Sequence, residues 1–143
     1  MNLDFGTATW LILDTPVWFL SSIAAPFQAS FLSAIPAAGV VALGTGCFAL
    51  FFNRSKRLWG FAALFALSVL FVAVAGLFRG DLKESGLLSV LMVFIGAQFA
   101  LSAVLVFRNH GARMPAVAFA TFNVAYAAWT AFVAGMSFSD SWL

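Results

Sequence analysis

Charge is the scarcest property of this 143-residue chain, because only 8% of its residues are Asp, Glu, Lys or Arg while 64% are hydrophobic. A soluble domain of this length exposes a large surface to water, and seven basic and five acidic side chains could not cover that surface. The composition therefore excludes an ordinary soluble domain and predicts that lipid surrounds most of the protein. The basic residues lie at the ends of apolar runs, so we do not expect a nucleic-acid partner.

Groups that carry chemistry are also few. The chain has one cysteine, Cys47, and one histidine, His110, which excludes an intrachain disulfide and a bis-histidine haem within one chain. Cys47 falls inside an apolar run and His110 in a predicted turn, so the two cannot share a metal ion. The acids are predicted on the opposite side of the membrane from His110, which argues against a Ser-His-acid triad. We expect neither an enzyme nor a bound cofactor or metal.

Long uncharged runs are what the sequence has in abundance. A helix needs about 20 consecutive apolar residues to cross the hydrocarbon core of a membrane. Four runs without a charged residue satisfy this length, and the predicted spans are residues 31–52, 58–78, 86–107 and 114–136. The sequence therefore predicts an all-α integral membrane protein, with residues 1–143 forming a single domain built as a four-helix transmembrane bundle.

Residues 5–28 are apolar but contain Asp14, whose carboxylate would cost about 2.5–3.5 kcal/mol at mid-membrane. We expect Asp14 or Thr15 to cap a short interfacial helix over about residues 15–25, with Pro16 as its first residue and Pro26 at its end. The alternative is that this segment spans the membrane or forms a re-entrant helix.

The basic residues indicate the orientation of the chain. Five of the seven lie in two short segments that contain no acid, namely Arg54, Lys56, Arg57, Arg108 and Arg113. Segments rich in Lys and Arg stay on the cytoplasmic side, because cationic loops are hard to translocate. This predicts a plasma or bacterial inner membrane protein with both termini on the non-cytoplasmic side. The same five residues are candidate contacts for anionic lipid headgroups, although orientation alone explains their placement.

Small residues recur at helical spacing within the predicted spans. Membrane helices associate through close backbone approach, and small side chains permit it. The predicted helix-packing positions are Ala38, Ala42, Gly46, Gly96, Ala100, Ala127, Ala131 and Gly135.

Four polar residues inside the spans have two interpretations: Thr45, Gln98, Asn123 and Tyr126. Buried amides need hydrogen-bond partners, so Gln98 and Asn123 would in the simpler case tie helices together. In the other interpretation the four residues line a polar pocket or pore. No Asp, Glu, Lys or Arg is predicted in a span, so a proton relay of the carboxylate type has no carrier.

These features favour a non-catalytic membrane subunit or scaffold in a homo- or hetero-oligomeric membrane complex. Its expected partners are membrane lipids and either further copies of itself or other membrane subunits. The alternative is a small oligomeric channel or carrier for a neutral or weakly charged solute, which the four polar residues would select by hydrogen bonding and size.

Overall fold

The computed structural model describes residues 3–21, 31–52, 58–80 and 84–139, and within these ranges every regular element is helical. This confirms the all-α prediction. The helices are α1 (Phe5–Ser21), α2 (Phe31–Ala49), α3 (Trp59–Leu77), α4 (Glu84–Arg108) and α5 (Arg113–Phe138), and a 3₁₀ turn (His110–Ala112) joins α4 to α5.

In the part of the chain that the structure describes, three stretches are long and apolar enough to cross a membrane: Trp59–Leu77 of α3, Gly86–Arg108 of α4, and His110–Phe138, which comprises the 3₁₀ turn and α5. The apolar part of α2, Ala34–Ala49, is shorter. The stretches in α3 and α4 follow the predicted spans closely, because charged residues border both runs in the sequence.

Helix α5 forms the centre of the molecule, since α2, α3 and α4 all pack against it. Its sequence is rich in alanine, and the small side chains allow three neighbours to approach its backbone. Residues such as Ala116, Val133 and Ala134 are completely buried in these contacts.

The contacts across α5 show which way each neighbour runs. Helix α3 is parallel to α5, because the ring centroid of Phe61 lies 6.1 Å from that of Phe119 close to the start of both helices and the Ser137 hydroxyl donates to the Ala75 carbonyl near their ends. Helix α4 is antiparallel to both. Helix α2 is also antiparallel to α5, with Gly39 beside Ala125 and Gly46 beside Ala118.

The four helices α2 to α5 therefore alternate in direction. Helices α2 and α4 end where α3 and α5 begin, and Arg108 and Arg113 lie at this end. We call this end of the bundle the basic end and the other the opposite end.

Helix α1 begins at Phe5, eleven positions before the predicted first residue, so the expected cap at Asp14 or Thr15 is wrong. Asp4 is the cap instead: one of its carboxylate oxygens accepts a hydrogen bond from the backbone N–H of Thr7 at 2.9 Å, and the other accepts one from the Thr7 hydroxyl. The Thr7 hydroxyl, followed by its backbone N–H, holds the pKa of Asp4 below its ordinary value. Pro26, the expected end of the helix, lies outside the described residues.

Helix α1 packs along α3 and runs antiparallel to it. Near its start Ala8 touches Gly76, in its middle Leu11 packs with Val72, and near its end the ring of Phe19 fits against Gly39 of α2. Helix α1 therefore runs parallel to α2 and fills the cleft between α2 and α3 from the opposite end of the bundle to about the middle of α5. Its inner face is fully enclosed, with Leu11 0% and Phe19 1% exposed.

Candidate functional site

Gln98 connects α4 to α3 in the middle of the bundle. Its side-chain nitrogen donates to the Leu64 carbonyl at 3.1 Å and to the Ser68 hydroxyl at 3.0 Å. The Ser68 hydroxyl in turn donates to the Leu64 carbonyl at 3.3 Å. Gln98 is 0% exposed, and its amide oxygen accepts no hydrogen bond from any described residue.

Asn123 lies at the same level on α5. Phe94 of α4 packs against Ala127 of α5, and Gln98 and Asn123 each follow one turn nearer the basic end. The Asn123 side-chain nitrogen donates to the Phe119 carbonyl of its own helix at 3.0 Å. A carbonyl requires a donor, so this bond identifies the second terminal atom as the oxygen, and that oxygen has no partner among the described residues.

The other two residues of the predicted polar pocket lie in different surroundings. Tyr126 is 2% exposed, and its ring centroid lies 4.8 Å from that of Phe65 and 5.1 Å from that of Phe19. Thr45 is exposed on α2, where its hydroxyl donates to the Val41 carbonyl at 2.8 Å. The structure thus brings Gln98, Asn123 and Tyr126 to the middle of the bundle and leaves Thr45 outside that group.

A groove of about 1080 Å³ lies between α2, α3 and α5 on the side of the basic end. Helix α1 fills the same cleft farther from this end, and Phe19 packs against Phe122 where the filled and empty parts meet. Asn123 belongs to the wall, and the exposed Cys47 lies towards the end of α2. We call it the aromatic groove after the six rings that line it: Phe51, Trp59, Phe61, Phe65, Phe119 and Phe122.

A second groove, of about 620 Å³, lies between α2, α4 and α5. Helices α2 and α4 both pack on α5 but not closely on each other, which leaves α5 uncovered between them. Ser102 lines this groove and is 2% exposed, and its hydroxyl has no partner among the described residues. We call it the alanine groove after five small side chains in its wall: Ala38, Ala103, Ala120, Ala125 and Ala128.

The predicted helix-packing residues divide into two groups. Five lie in contacts within the chain: Ala42, Gly46, Ala127, Ala131 and Gly135. Three are exposed: Ala38, Gly96 and Ala100. A Cβ atom added at Gly46 would meet Phe119 at 3.1 Å, whereas one at Gly96 would meet no atom of the described residues within 4 Å.

Of the basic residues predicted to contact lipid headgroups, Arg108 and Arg113 are exposed at the basic end, where Arg113 lies 3.3 Å from the His110 ring nitrogen Nδ1. Arg54, Lys56 and Arg57 lie outside the described residues. Within the described ranges no three His, Cys, Asp or Glu side chains come together in a way that could hold a metal ion.

Sequence reasoning does not single out the buried polar groups that α1 and its neighbours enclose. The Thr15 hydroxyl and the Trp129 indole N–H are both buried without a partner among the described residues. The sequence pattern places Thr15 at a helix cap. It sets Trp129 apart as the one tryptophan deep in a predicted span, but it does not indicate that the indole N–H is buried without a partner. Only the packing of α1 into the bundle encloses Thr15.

Comparison of the chain with protein-family models, with curated proteins and with solved structures gives no match.

Proposed function

We propose that the protein is an integral membrane protein of the plasma or bacterial inner membrane, in which α2 to α5 form a four-helix transmembrane bundle. The basic end faces the cytoplasm, and both termini lie on the other side. The sequence favours an interfacial N-terminal helix, but the enclosed inner face of α1 supports the alternative of a re-entrant helix. Leu11 and Phe19 could not lie between α2, α3 and α5 if α1 rested in the plane of the membrane surface.

Its proposed role is that of a non-catalytic subunit or scaffold, which associates with further copies of itself or with other membrane subunits. The observation that carries this proposal is the alanine groove. A surface that contacts only lipid has no need of small residues, because large apolar side chains are equally favourable in lipid. Small side chains do, however, allow a helix of another subunit to approach closely. Here Ala38 and Ala103 border a gap that no helix described in this chain fills.

The outward face of α4 continues this surface. Gly96 and Ala100 lie about 40° apart on the helix, facing away from the buried Phe94 and Gln98. A partner helix seated in the alanine groove would contact α4 along this side. Ala38, Gly96 and Ala100 are predicted to pack against other helices but are exposed within a single chain. We therefore expect them to contact another subunit.

The experiment is to fill the groove. Ala38→Leu combined with Ala103→Leu should weaken association at least about tenfold, because leucine prevents close helix approach. The mass of the complex in mild detergent, followed by native mass spectrometry over a dilution series, measures the change. Ala66→Leu is the matched control, since Ala66 is exposed on α3 and lines neither groove. A wild-type protein that is monomeric at every concentration, with no co-purifying subunit, would contradict the proposal.

A second candidate function is a small oligomeric channel or carrier for a neutral or weakly charged solute. It is favoured by the amide oxygens of Gln98 and Asn123, which have no partner in the described part of the chain and lie level with each other in the middle of the bundle. Buried acceptors without donors are unusual, and a permeating solute could supply the donors.

Liposomes containing the purified protein distinguish the two candidates. A channel or carrier should release small neutral solutes such as glycerol, and Asn123→Leu with Gln98→Leu should change the rate while the fold is kept. A scaffold should leave the liposomes as tight as protein-free ones.

A further inference from the structure

The structure assigns a ligand to the aromatic groove: we infer that it binds a neutral, planar, largely apolar molecule with one hydroxyl or N–H donor, of the phenol or indole class. The inference does not rest on subunit association, because the alanine groove lies on another side of α5. It concerns binding, so the absence of solute flux would not affect it.

The shape and lining of the groove indicate a planar apolar ligand. Its volume of about 1080 Å³ slightly exceeds the range of about 300–1,000 Å³ that is usual for small-molecule sites. Six aromatic rings supply faces and edges for offset or edge-to-face packing against another ring. Towards the opposite end, Phe19 packs against Phe122 of the groove wall, with the two ring centroids 6.0 Å apart.

The charge of the lining indicates a neutral ligand. Among the residues that the structure describes, none that lines the groove is Asp, Glu, Lys, Arg or His. An ion transferred into such a site would lose its hydration without gaining a counter-charge, which is strongly unfavourable.

Asn123 indicates the donor. It is 1% exposed and lies in the groove wall, with its nitrogen donating to the Phe119 carbonyl and its oxygen without a partner among the described residues. The oxygen is an acceptor only, so it is satisfied by a ligand O–H or N–H and not by an ether or a hydrocarbon. A lipid acyl chain would fill the volume but leave this oxygen unsatisfied.

The test uses the only cysteine of the chain as a reporter. Cys47 is exposed, lies two residues before the end of α2 and lines the groove, so a bound ligand should shield its thiol from a small maleimide. The probes are 2-naphthol and 2-methoxynaphthalene, which share the planar ring but differ in the donor. In the purified full-length protein we expect 2-naphthol to protect Cys47 at concentrations about three- to tenfold lower, the factor that one hydrogen bond provides.

Three variants make the result specific. Asn123→Leu should abolish the preference for 2-naphthol while both probes still protect Cys47. Ala62→Trp, which places a ring in the groove from an exposed position on α3, should abolish protection by both, and Ala66→Trp one turn farther should not. The Ala62→Trp comparison still applies if Asn123→Leu fails to fold.

Protection by neither probe in the wild-type protein would overturn the inference, and is the result expected if acyl chains fill the groove. Equal protection by the two probes, or a preference that Asn123→Leu retains, would remove the role of the donor and would overturn it as well.

Discussion

Gln98 illustrates how a single amide is only half satisfied inside this bundle. Its nitrogen donates both hydrogens to α3, which links two helices, but its oxygen is buried without a donor among the described residues. Hydrogen bonds between membrane helices contribute about 0.6 kcal/mol on average, and an unsatisfied buried acceptor costs about 1–3 kcal/mol. The free energy gained from the hydrogen bonds of Gln98 and the free energy lost by burying its amide oxygen are therefore of similar size.

We predict from this balance that Gln98→Leu changes the free energy of unfolding by less than about 1 kcal/mol. Gln98→Ala should destabilise by about 2–4 kcal/mol, because it leaves a cavity at a fully buried position. Unfolding in mixed micelles of mild detergent and sodium dodecyl sulfate, followed by tryptophan fluorescence, measures both values. Thr45→Val is the control, since the Thr45 hydroxyl is exposed and bonded within its own helix.

A double-mutant cycle with Ser68→Ala isolates the contact itself. The coupling energy between Gln98 and Ser68 should be about 0.5–1 kcal/mol, as for other hydrogen-bonded neighbours. Strictly additive effects would show that the 3.0 Å contact contributes nothing.

The sequence identifies Gln98 and Asn123 because amides in uncharged runs must find partners. It does not name those partners, because Ser68 and Leu64 come from another helix and the pairing depends on register. Thr45 lies outside the group for a related reason: a threonine in a helix can satisfy its hydroxyl on the carbonyl four residues earlier, and the sequence does not reveal which threonines do so.

Helix α1 is the element for which sequence reasoning fails most clearly. Asp14, Thr15 and Pro16 together resemble the start of a helix, since proline is favoured at the first position and an acid or hydroxyl before it. In the structure all three lie inside α1. Asp4 and Thr7 form the real cap about ten residues earlier, and packing of the helix against α3 outweighs the backbone hydrogen bond that Pro16 cannot donate.

The contact between Gly76 and Ala8 sets how closely α1 approaches α3. A Cβ atom at position 76 would lie 2.5 Å from the Ala8 Cα and 2.8 Å from its backbone nitrogen. Backbone atoms cannot move aside as a flexible side chain can, so Gly76→Ala should force α1 away from α3. Such overpacking typically costs about 1–3 kcal/mol.

We expect Gly76→Ala to increase amide hydrogen exchange throughout α1 by about tenfold or more, as measured by mass spectrometry on the intact protein in detergent. Gly44→Ala is the matched control, because a Cβ atom added at Gly44 would meet no atom within 4 Å and alanine favours the helix. If amide hydrogen exchange in α1 is equally fast in Gly76→Ala and Gly44→Ala, the stability of α1 does not depend on the contact between Gly76 and Ala8.

At the scale of the whole molecule, uncharged runs are sufficient to predict helices, because charge is excluded from both lipid and a packed interior. The central position of α5 is harder to predict from the sequence. Alanine is frequent in α5 but also in α2, and only the contacts show that three helices share the α5 surface. The placement of α1 parallel to α2 has no sequence signal, since consecutive helices joined by a short connection are usually antiparallel.

Because α2 to α5 alternate in direction, the described basic residues Arg108 and Arg113 lie at one end of the bundle. This uneven distribution of charge predicts the orientation of the whole bundle in the membrane. Arg108 and Arg113 lie at the basic end, together with the 3₁₀ turn that contains Gly111, while Ser139 follows α5 at the opposite end. If cationic segments remain in the cytoplasm, these two positions face different sides of the membrane.

Single cysteines introduced in a Cys47→Ala background test the orientation in intact cells. Gly111→Cys should resist a membrane-impermeant maleimide until the membrane is permeabilised, whereas Ser139→Cys should react from outside. The two positions are exposed, so a difference between them reports the side of the membrane and not burial. The reverse pattern would invert the bundle, and would place the basic end, towards which the aromatic groove lies, on the external side instead of the cytoplasmic one.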